Sequence, residues 1–481
     1  MQITKREFLE KLGLLGVAGL GGAAFGDEYV PDRSRLPAGS CGDPDNVWFG
    51  KNIFPLPHTL EDGPSCFLKD GKVIEPAKEI PVFHETDVVV VGGGPAGFSA
   101  AVSAARAGSR VALVEAAGSL GGLFTNGMVL IMLSTSRREE SGKWTLVTRG
   151  LCEEFMNRAE KLGSWACTGG GNGKGVGRGR YGHWQPTVDP EGAKYLMDAM
   201  IAESKVEMFF HAMGVDVIQD GNKVLGVVFE SKQGRQAILA KQVVDATGDA
   251  DMLFKVGGDY RQITHGIGHV VRLANMDRIT AKVPPKDVDG KTLSGRWPTR
   301  GNEGNPSTWW GNSGTGPKGN GLDIRDLSAA EIAFRKEWWE HVAKMRSTPG
   351  WEEVFIANTC SMIGPRCTRL VDCETVLGRK EIAEGYDKSE LLGWFGQDGV
   401  HAAFPVPFKC ILPRKVENLL VAGRCLGTGD TCDTFRLISP CFVTGQAAGI
   451  AAALAAKSGV TPCALAYSSI RGELERQQVY L

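Results

Sequence analysis

The sequence predicts an α/β chain, a parallel sheet with flanking helices joined to a second lobe that the chain enters and leaves twice. Three observations carry this. An apolar run from Asp87 to Val91 passes through glycines into a helical stretch and then into another apolar run that ends at Glu115. Two more short apolar runs, Gln242 to Asp245 and Asn418 to Gly423, also end in glycine and polar residues. Runs so short and so uniformly apolar belong to strands buried on both faces. Between them lie two stretches rich in Trp, Gly and Asn, about Met128 to Trp184 and about Arg261 to Pro405, with no helical or strand period. These predict the discontinuous second lobe.

The elements follow in order. Residues 1–26 have a charged start, Lys5 and Arg6, and then a weakly apolar stretch from Leu12 to Phe25. It is too short and too rich in glycine to cross a bilayer. The segment resembles a twin-arginine export signal, Ser/Thr-Arg-Arg-x-Phe-Leu-Lys, at Thr4, Arg6, Phe8 and Leu9, while Lys5 and Glu10 depart from it. The resemblance implies a periplasmic or other extracytoplasmic protein, with no transmembrane anchor after signal removal. The alternative is an ordinary N-terminal helix on a cytoplasmic protein. Residues 27–85 are rich in Pro, Gly and Asp and read as an extended arm.

Next comes a strand from Asp87 to Val91, a helix over about Ala96 to Ala107 and a strand from Arg110 to Glu115. The turn carries G-x-G-x-x-G at Gly92, Gly94 and Gly97. The same spacing recurs at Gly177, Gly179 and Gly182 and at Gly314, Gly316 and Gly319, but in loops without a preceding strand. Only the first has the context in which backbone approaches a pyrophosphate and a helix N-terminus stabilises its charge. Glu115 ends the second strand, where a carboxylate accepts hydrogen bonds from ribose hydroxyls and disfavours a 2′-phosphate. A dinucleotide site follows. No second strand-flanked glycine motif offers a separate pyridine-nucleotide unit. Downstream come a helix, a short strand and a meander with turns at Gly221–Asn222 and Gln233–Gly234.

Composition narrows the function. The 481 residues include 64 glycines, nearly twice a share of roughly 7%, without a repeat to carry them. This favours tight turns and close backbone approaches. A net charge of -1 and the lack of a basic block argue against nucleic acid as a partner. None of the 12 cysteines forms C-x-x-C or a ferredoxin-like run, so no zinc, iron–sulfur or other metal site is expected. Cys360, Cys367 and Cys373, and Cys425, Cys432 and Cys441, form two loose groups that could hold a disulfide in an exported protein, or be buried thiols.

Several motifs occur in order: the Gly92–Gly97 turn, Glu115 with Gly121 and Gly122, "DATGDAD", "MIGPRCTRLV", "FPVPFKCILP", "NLLVAGRC" and "GQAAG". Together they resemble the FAD-dependent oxidoreductase family of glutathione-reductase-like fold, related to the succinate dehydrogenase and fumarate reductase flavoproteins. The resemblance implies FAD. It places the pyrophosphate on Gly92, Gly94, Pro95, Ala96 and Gly97 and the adenosine ribose on Glu115. Gly121 and Gly122 would let backbone pass the cofactor, Thr247, Gly248 and Asp249 form the second motif, and Gly423 and Arg424 meet the ribityl chain. Gly445 and Gln446 would open a helix whose N-terminus faces the flavin.

The implied domains are 86–127, 185–260 and 406–481 for FAD, with 128–184 and 261–405 as a substrate domain. The implied activity is dehydrogenation of a small hydroxylated substrate, a sugar derivative, polyol or hydroxy acid, by hydride transfer to flavin. Electrons would pass to a separate acceptor, a quinone or a redox protein. The alternatives are reduction of an activated C=C bond and a non-catalytic electron-relay subunit. Candidate catalytic residues are His401, Arg436, Arg366 and Asp430, the last standing where the family usually has a histidine. His401 is also readable as a structural or surface residue, and Arg436 as a packing or ion-pair arginine. His183 is a candidate for the substrate lobe, and Cys432 with Cys441 for a redox pair.

Overall fold

The structure is a computed structural model that describes residues 66–168, 185–281, 307–312, 318–385, 388–396 and 403–481. The export-signal segment, most of the expected arm, His183, His401 and the glycines at 177, 179, 182, 314 and 316 lie outside the described residues. The chain divides into two compact units, Met1–Lys78 and Glu79–Leu481. In the first, Phe67–Lys69 pairs antiparallel with Lys72–Ile74.

The second unit is built on β1 (Val82–Val91), whose Val88 to Val91 are at most 2% exposed. The strand begins inside the stretch expected to be arm. α1 (Pro95–Arg106) follows, with proline in its first turn, where an N–H has no intrahelical partner to lose. β2 (Val111–Val114) lies parallel to β1, Val88 facing Val111. α2 (Leu151–Lys161) carries Leu151, Cys152, Phe155, Met156 and Ala159 on one buried stripe. α3 (Pro190–Glu203) is capped by Asp189, whose carboxylate accepts from the Glu191 and Gly192 N–H groups. Then come β3 (Glu207–Phe209) and a meander, β4 (Met213–Asp220), β5 (Lys223–Ser231) and β6 (Gly234–Asp245).

β6 organises the sheet. Its first half pairs antiparallel with β5, while Val243 to Asp245 lie parallel to β1 on one side and to Leu419 to Val421 on the other. After β6, α4 (Asp251–Lys255) is a single short turn. The second lobe has its own core: β7 (Val270–Ala274) between β8 (Thr308–Asn312) and β9 (Phe355–Thr359), backed by α5 (Ile324–Arg346). Phe334, Trp338, Val342 and Met345 of α5 pack with Leu273, Met276 and Trp351. The hairpin β10 (Leu391–Gly396) and β11 (Ala403–Pro407) precedes β12 (Leu419–Val421), α6 (Cys432–Phe435), α7 (Ile438–Ser458) and α8 (Tyr467–Arg476). The parallel sheet therefore runs β12-β6-β1-β2-β3.

Two expectations about the second lobe change. α2 belongs to the main core, where Phe155 meets Phe98, Phe124 and Phe442, and Leu392, Phe395, Phe404 and Val406 of the β10–β11 hairpin join that core too. The separate lobe is thus narrower than 128–184 with 261–405. α7 is long and apolar enough to cross a membrane, but 94% of its apolar window is buried in the protein, so it is a core helix.

α7 and α1 meet at backbone distance. A Cβ on Gly445 would stand 2.1 Å from the Ala96 carbonyl oxygen, and one on Gly449 would stand 2.1 Å from that of Ala100. The Ser99 hydroxyl donates to the Phe442 carbonyl at 2.7 Å and ties the same crossing. The small residues of α7 therefore serve helix packing.

Candidate active site

A cavity of about 400 Å³ opens at the carboxyl ends of β1, β2, β6 and β12, where open α/β sheets bind ligands. Gly92, Gly94, Pro95, Ala96, Glu115, Gly122, Thr247, Gly248, Asp249, Gly423 and Arg424 line it, and the second lobe contributes Gly321, Leu327, Met362, Ile363 and Pro365.

The three motif glycines have three different reasons. Gly92 has φ +97°, and a Cβ there would lie 2.6 Å from the Ala246 carbonyl oxygen. Gly97 sits under it: its Cβ would lie 1.7 Å from the Gly92 carbonyl oxygen, so it lets helix and strand touch and does not line the cavity. At Gly94 a Cβ would meet nothing within 4 Å. The space it faces is the cavity, and α1 begins there with no side-chain cap. Gly121 also stays outside the cavity wall; its N–H donates to the Gly93 carbonyl at 2.8 Å and sets Gly122 over Gly94.

Glu115 is 6% exposed. One oxygen accepts from Gly93 N–H at 2.5 Å and the other from Ala117 N–H at 2.7 Å. Burial pushes its carboxyl above the usual range, against those bonds. A carboxylate has about four acceptor sites, so a diol could still bind.

Around β6 the loop is held from below and from the side. The buried Asp245 accepts from Thr247 N–H at 3.1 Å, Thr247 Oγ1 at 2.7 Å and Leu253 N–H at 3.0 Å. Arg424 donates to the Gly248 carbonyl at 2.9 Å, to Asp249 Oδ2 at 2.6 Å and to the Pro365 carbonyl. Asp249 also accepts from Thr368. Arg424 is thus a clamp joining the β6 loop to the second lobe, a role its place in "GRC" did not disclose.

Asp245 has a pH signature. Burial outweighs its hydrogen bonds and raises its ionisation from 3.8 to about 6. The folded value lies above the unfolded one, so the group's contribution to stability is full below about 3.8 and is lost as pH rises through about 6. In urea unfolding of the apoprotein, the stability of wild type relative to Asp245→Asn should be highest at roughly pH 3 and fall by roughly 3 kcal/mol by about pH 7. A difference that is flat with pH would refute this.

At the start of α7, Arg436, Ile438 and Cys441 line the cavity. The helix begins at Ile438 without a side-chain cap. This corrects the expectation that Gly445 and Gln446 open it: Pro440 falls in the first turn, where its missing N–H has no intrahelical acceptor. Gly445 packs on α1, and Gln446 accepts from Leu151 N–H at 3.0 Å and caps α2. Neither lines the cavity.

Arg436 donates through Nε and Nη2 to Asp433 Oδ1 at 2.9 and 2.7 Å. Across the same carboxylate, His265 Nε2 lies 3.4 Å from Asp433 Oδ2, while His265 Nδ1 accepts from Gly266 N–H at 2.7 Å. Burial would raise the Asp433 carboxyl, but Arg436, His265 and Arg366 together hold it below its ordinary value. Arg366 does not line the cavity, and its charge acts on Asp433. Asp433 and His265 were not foreseen; the Asp433/Arg436 spacing of three, which pairs side chains on one helical turn, was the available signal.

Asp430 is displaced from a catalytic role. It is exposed, accepts from Thr428 and from Arg379 N–H at 3.1 Å, and its carboxyl is lowered mainly by the Thr428 bond. It orders a surface loop. Cys441 is pushed up to about 12 by burial, so it is a thiol. Cys432 packs against Cys367 and Leu370 rather than Cys441, and all the described cysteines are free.

The description "FAD dependent oxidoreductase" belongs to the family model that matches residues 87–474. The chain belongs to this family of FAD-dependent oxidoreductases, and its cofactor is FAD. A dihydrolipoyl dehydrogenase of Trypanosoma brucei brucei is 54% identical over 46 residues, 10% of either chain, so the oxidoreductase spans about a tenth of that relative's length. Among solved structures it is similar to p-nitrophenol 4-monooxygenase of Pseudomonas putida, with TM-score 0.42 and 13% identity over 83% of this chain and 86% of that one. It is also similar to a geranylgeranyl bacteriochlorophyll reductase-like protein of Thermoplasma acidophilum, with TM-score 0.37 and 15% identity over 82% and 84%.

The residues present fit FAD. The open space over Gly94 would take the pyrophosphate at the α1 N-terminus, Glu115 the ribose, and the uncapped start of α7 the electron-rich edge of the ring.

Proposed function

We propose that this oxidoreductase dehydrogenates a small hydroxylated compound, a sugar derivative, polyol or hydroxy acid, and that electrons then pass to a separate acceptor, a quinone or a redox protein. The observation that supports this reading is Arg436 on the cavity wall, held from behind by Asp433 and His265. An arginine fixed in this way presents its remaining N–H donors to an anionic substrate group, which favours hydroxy acids and sugar acids within the class. Second-lobe residues on the wall favour an enzyme with a substrate pocket over an electron-relay subunit.

FAD, when bound, supplies the two-electron acceptor. The first-turn N–H groups of α7, at Ile438 and Ser439, stabilise negative charge at the cavity by roughly 0.3–2 kcal/mol. Arg436 orients the substrate. The proton acceptor we assign to His401. For location we propose export by the twin-arginine-like segment.

Anaerobic mixing of the holoenzyme with a panel of polyols, sugars and hydroxy acids tests the reading: one class should bleach the visible flavin band. Arg436→Ala should raise the half-saturating concentration of anionic substrates about tenfold or more and leave neutral ones unchanged. His401→Ala should slow reduction without weakening binding. No bleaching by any member, with reoxidation of reduced flavin by enoates instead, would replace dehydrogenation by reduction of an activated C=C bond.

A further inference from the structure

α5 has an outward face whose composition the catalytic site does not explain. Its inner face is filled by Phe334, Trp338, Val342 and Met345. At 100° per residue, an exposed arc of about 100° beside that inner face, from Arg335 round to Lys336, holds Arg325, Ile332, Arg335, Lys336, Trp339 and Arg346, with only Ser and Ala besides. Ile332 is 68% exposed and Trp339 71% exposed, one behind the other along the middle of this arc. No acidic residue falls inside it. Asp326, Glu337 and Glu340 lie on one flank and Glu331 on the other; Glu331 pairs with Arg335, and Glu340 approaches Lys336 at 3.7 Å. Arg346 also donates to the Val354 carbonyl at 2.9 Å.

We infer that this face of α5 docks on an anionic lipid bilayer. A helix lying in the interface buries apolar and indole side chains at headgroup depth while flanking cations reach the phosphates. Ile332 and Trp339 are the inserted pair, and Arg325, Arg335, Lys336 and Arg346 are the cations around them. An aliphatic side chain and an indole flanked by cations fit this interface, where indoles concentrate. The first turn of the same helix supplies Leu327 to the cavity wall, so docking through α5 would set the redox site beside the membrane, within reach of a lipid-soluble electron acceptor. The docking itself does not depend on the reaction proposed above.

The test is co-sedimentation of the full-length, flavin-loaded protein with vesicles of phosphatidylcholine alone or mixed with phosphatidylglycerol. Wild type should bind the mixed vesicles, lose binding as salt rises, and bind the neutral ones weakly. Trp339→Ala and the double change Arg335→Glu/Lys336→Glu should each lower the binding constant about tenfold or more, with flavin content unchanged. Equal binding by wild type and both variants would assign any membrane affinity to another segment and overturn the inference. So would a self-association that Trp339→Ala abolishes in protein that ignores vesicles, because the face would then meet a second copy of the chain.

Discussion

Gly94→Ala is expected to leave the protein folded and deprive it of flavin. Gly94 has φ -65°, a value any residue adopts, and a Cβ there meets no protein atom within 4 Å. Exchanging glycine for alanine at a helix N-cap should change the stability of the apoprotein by less than about 1 kcal/mol. The new methyl group would instead stand in the cavity, where the pyrophosphate must approach the backbone. FAD affinity should fall at least about a hundredfold, or about 2.8 kcal/mol. Gly97→Ala should do the reverse. Its Cβ would lie 1.7 Å from a carbonyl oxygen held in β1 and the following turn, so the apoprotein itself should lose about 3 kcal/mol or more. Urea midpoints of the two apoproteins and fluorescence titration with FAD separate the effects. If Gly94→Ala retains wild-type FAD affinity, the cavity over Gly94 is not the pyrophosphate site.

These neighbouring glycines show what could be read in advance and what could not. The strand, turn and helix from Asp87 to Arg106 were legible because their cause is local: a run of valines buried on both faces, a turn that only glycine opens, and a helix of small residues. The end of β6 and the whole of β12 were legible as strands by the same logic, since each is a short apolar run ending at the cavity, but their order in the sheet was not. That Gly97 packs while Gly94 faces open space was not legible, because the difference lies in the Gly92 carbonyl overhead.

The catalytic candidates fared less evenly for the same reason. Arg436 could be singled out from its place just before an apolar helix, and it does reach the cavity wall. Its partners could not be read so directly. Asp433 lies one turn earlier, but His265 comes from a distant strand, and only the folded chain brings its ring to the other side of the carboxylate. Asp430 illustrates the opposite error. A position that matches a family pattern carries no information about which way the loop turns, and here Thr428 and Arg379 hold it at the surface.

The largest loss of stability is expected from valine at Gly445 or Gly449. Gly445 read as the start of a cofactor-facing helix, yet it and Gly449 both lie inside α7 against the backbone of α1. A side chain at either position would begin 2.1 Å from a carbonyl oxygen and 2.7 Å from the Cα of Ala96 or Ala100, and helix backbone cannot step aside as a flexible side chain can. Valine adds two branches to that first clash, so each substitution should cost about 3 kcal/mol or more. Because α1 begins at the cavity, displacement of its axis should also lower flavin content, and the two losses should move together. Gly472→Ala is the control: it lies in α8 with open space where the Cβ would go, so alanine should raise stability by about 0.5–1 kcal/mol through its better helix propensity. Urea unfolding of the three variants decides. A Gly449→Val midpoint matching wild type would mean that α1 and α7 do not meet at backbone distance, and the role given to the small residues of α7 would fall with it.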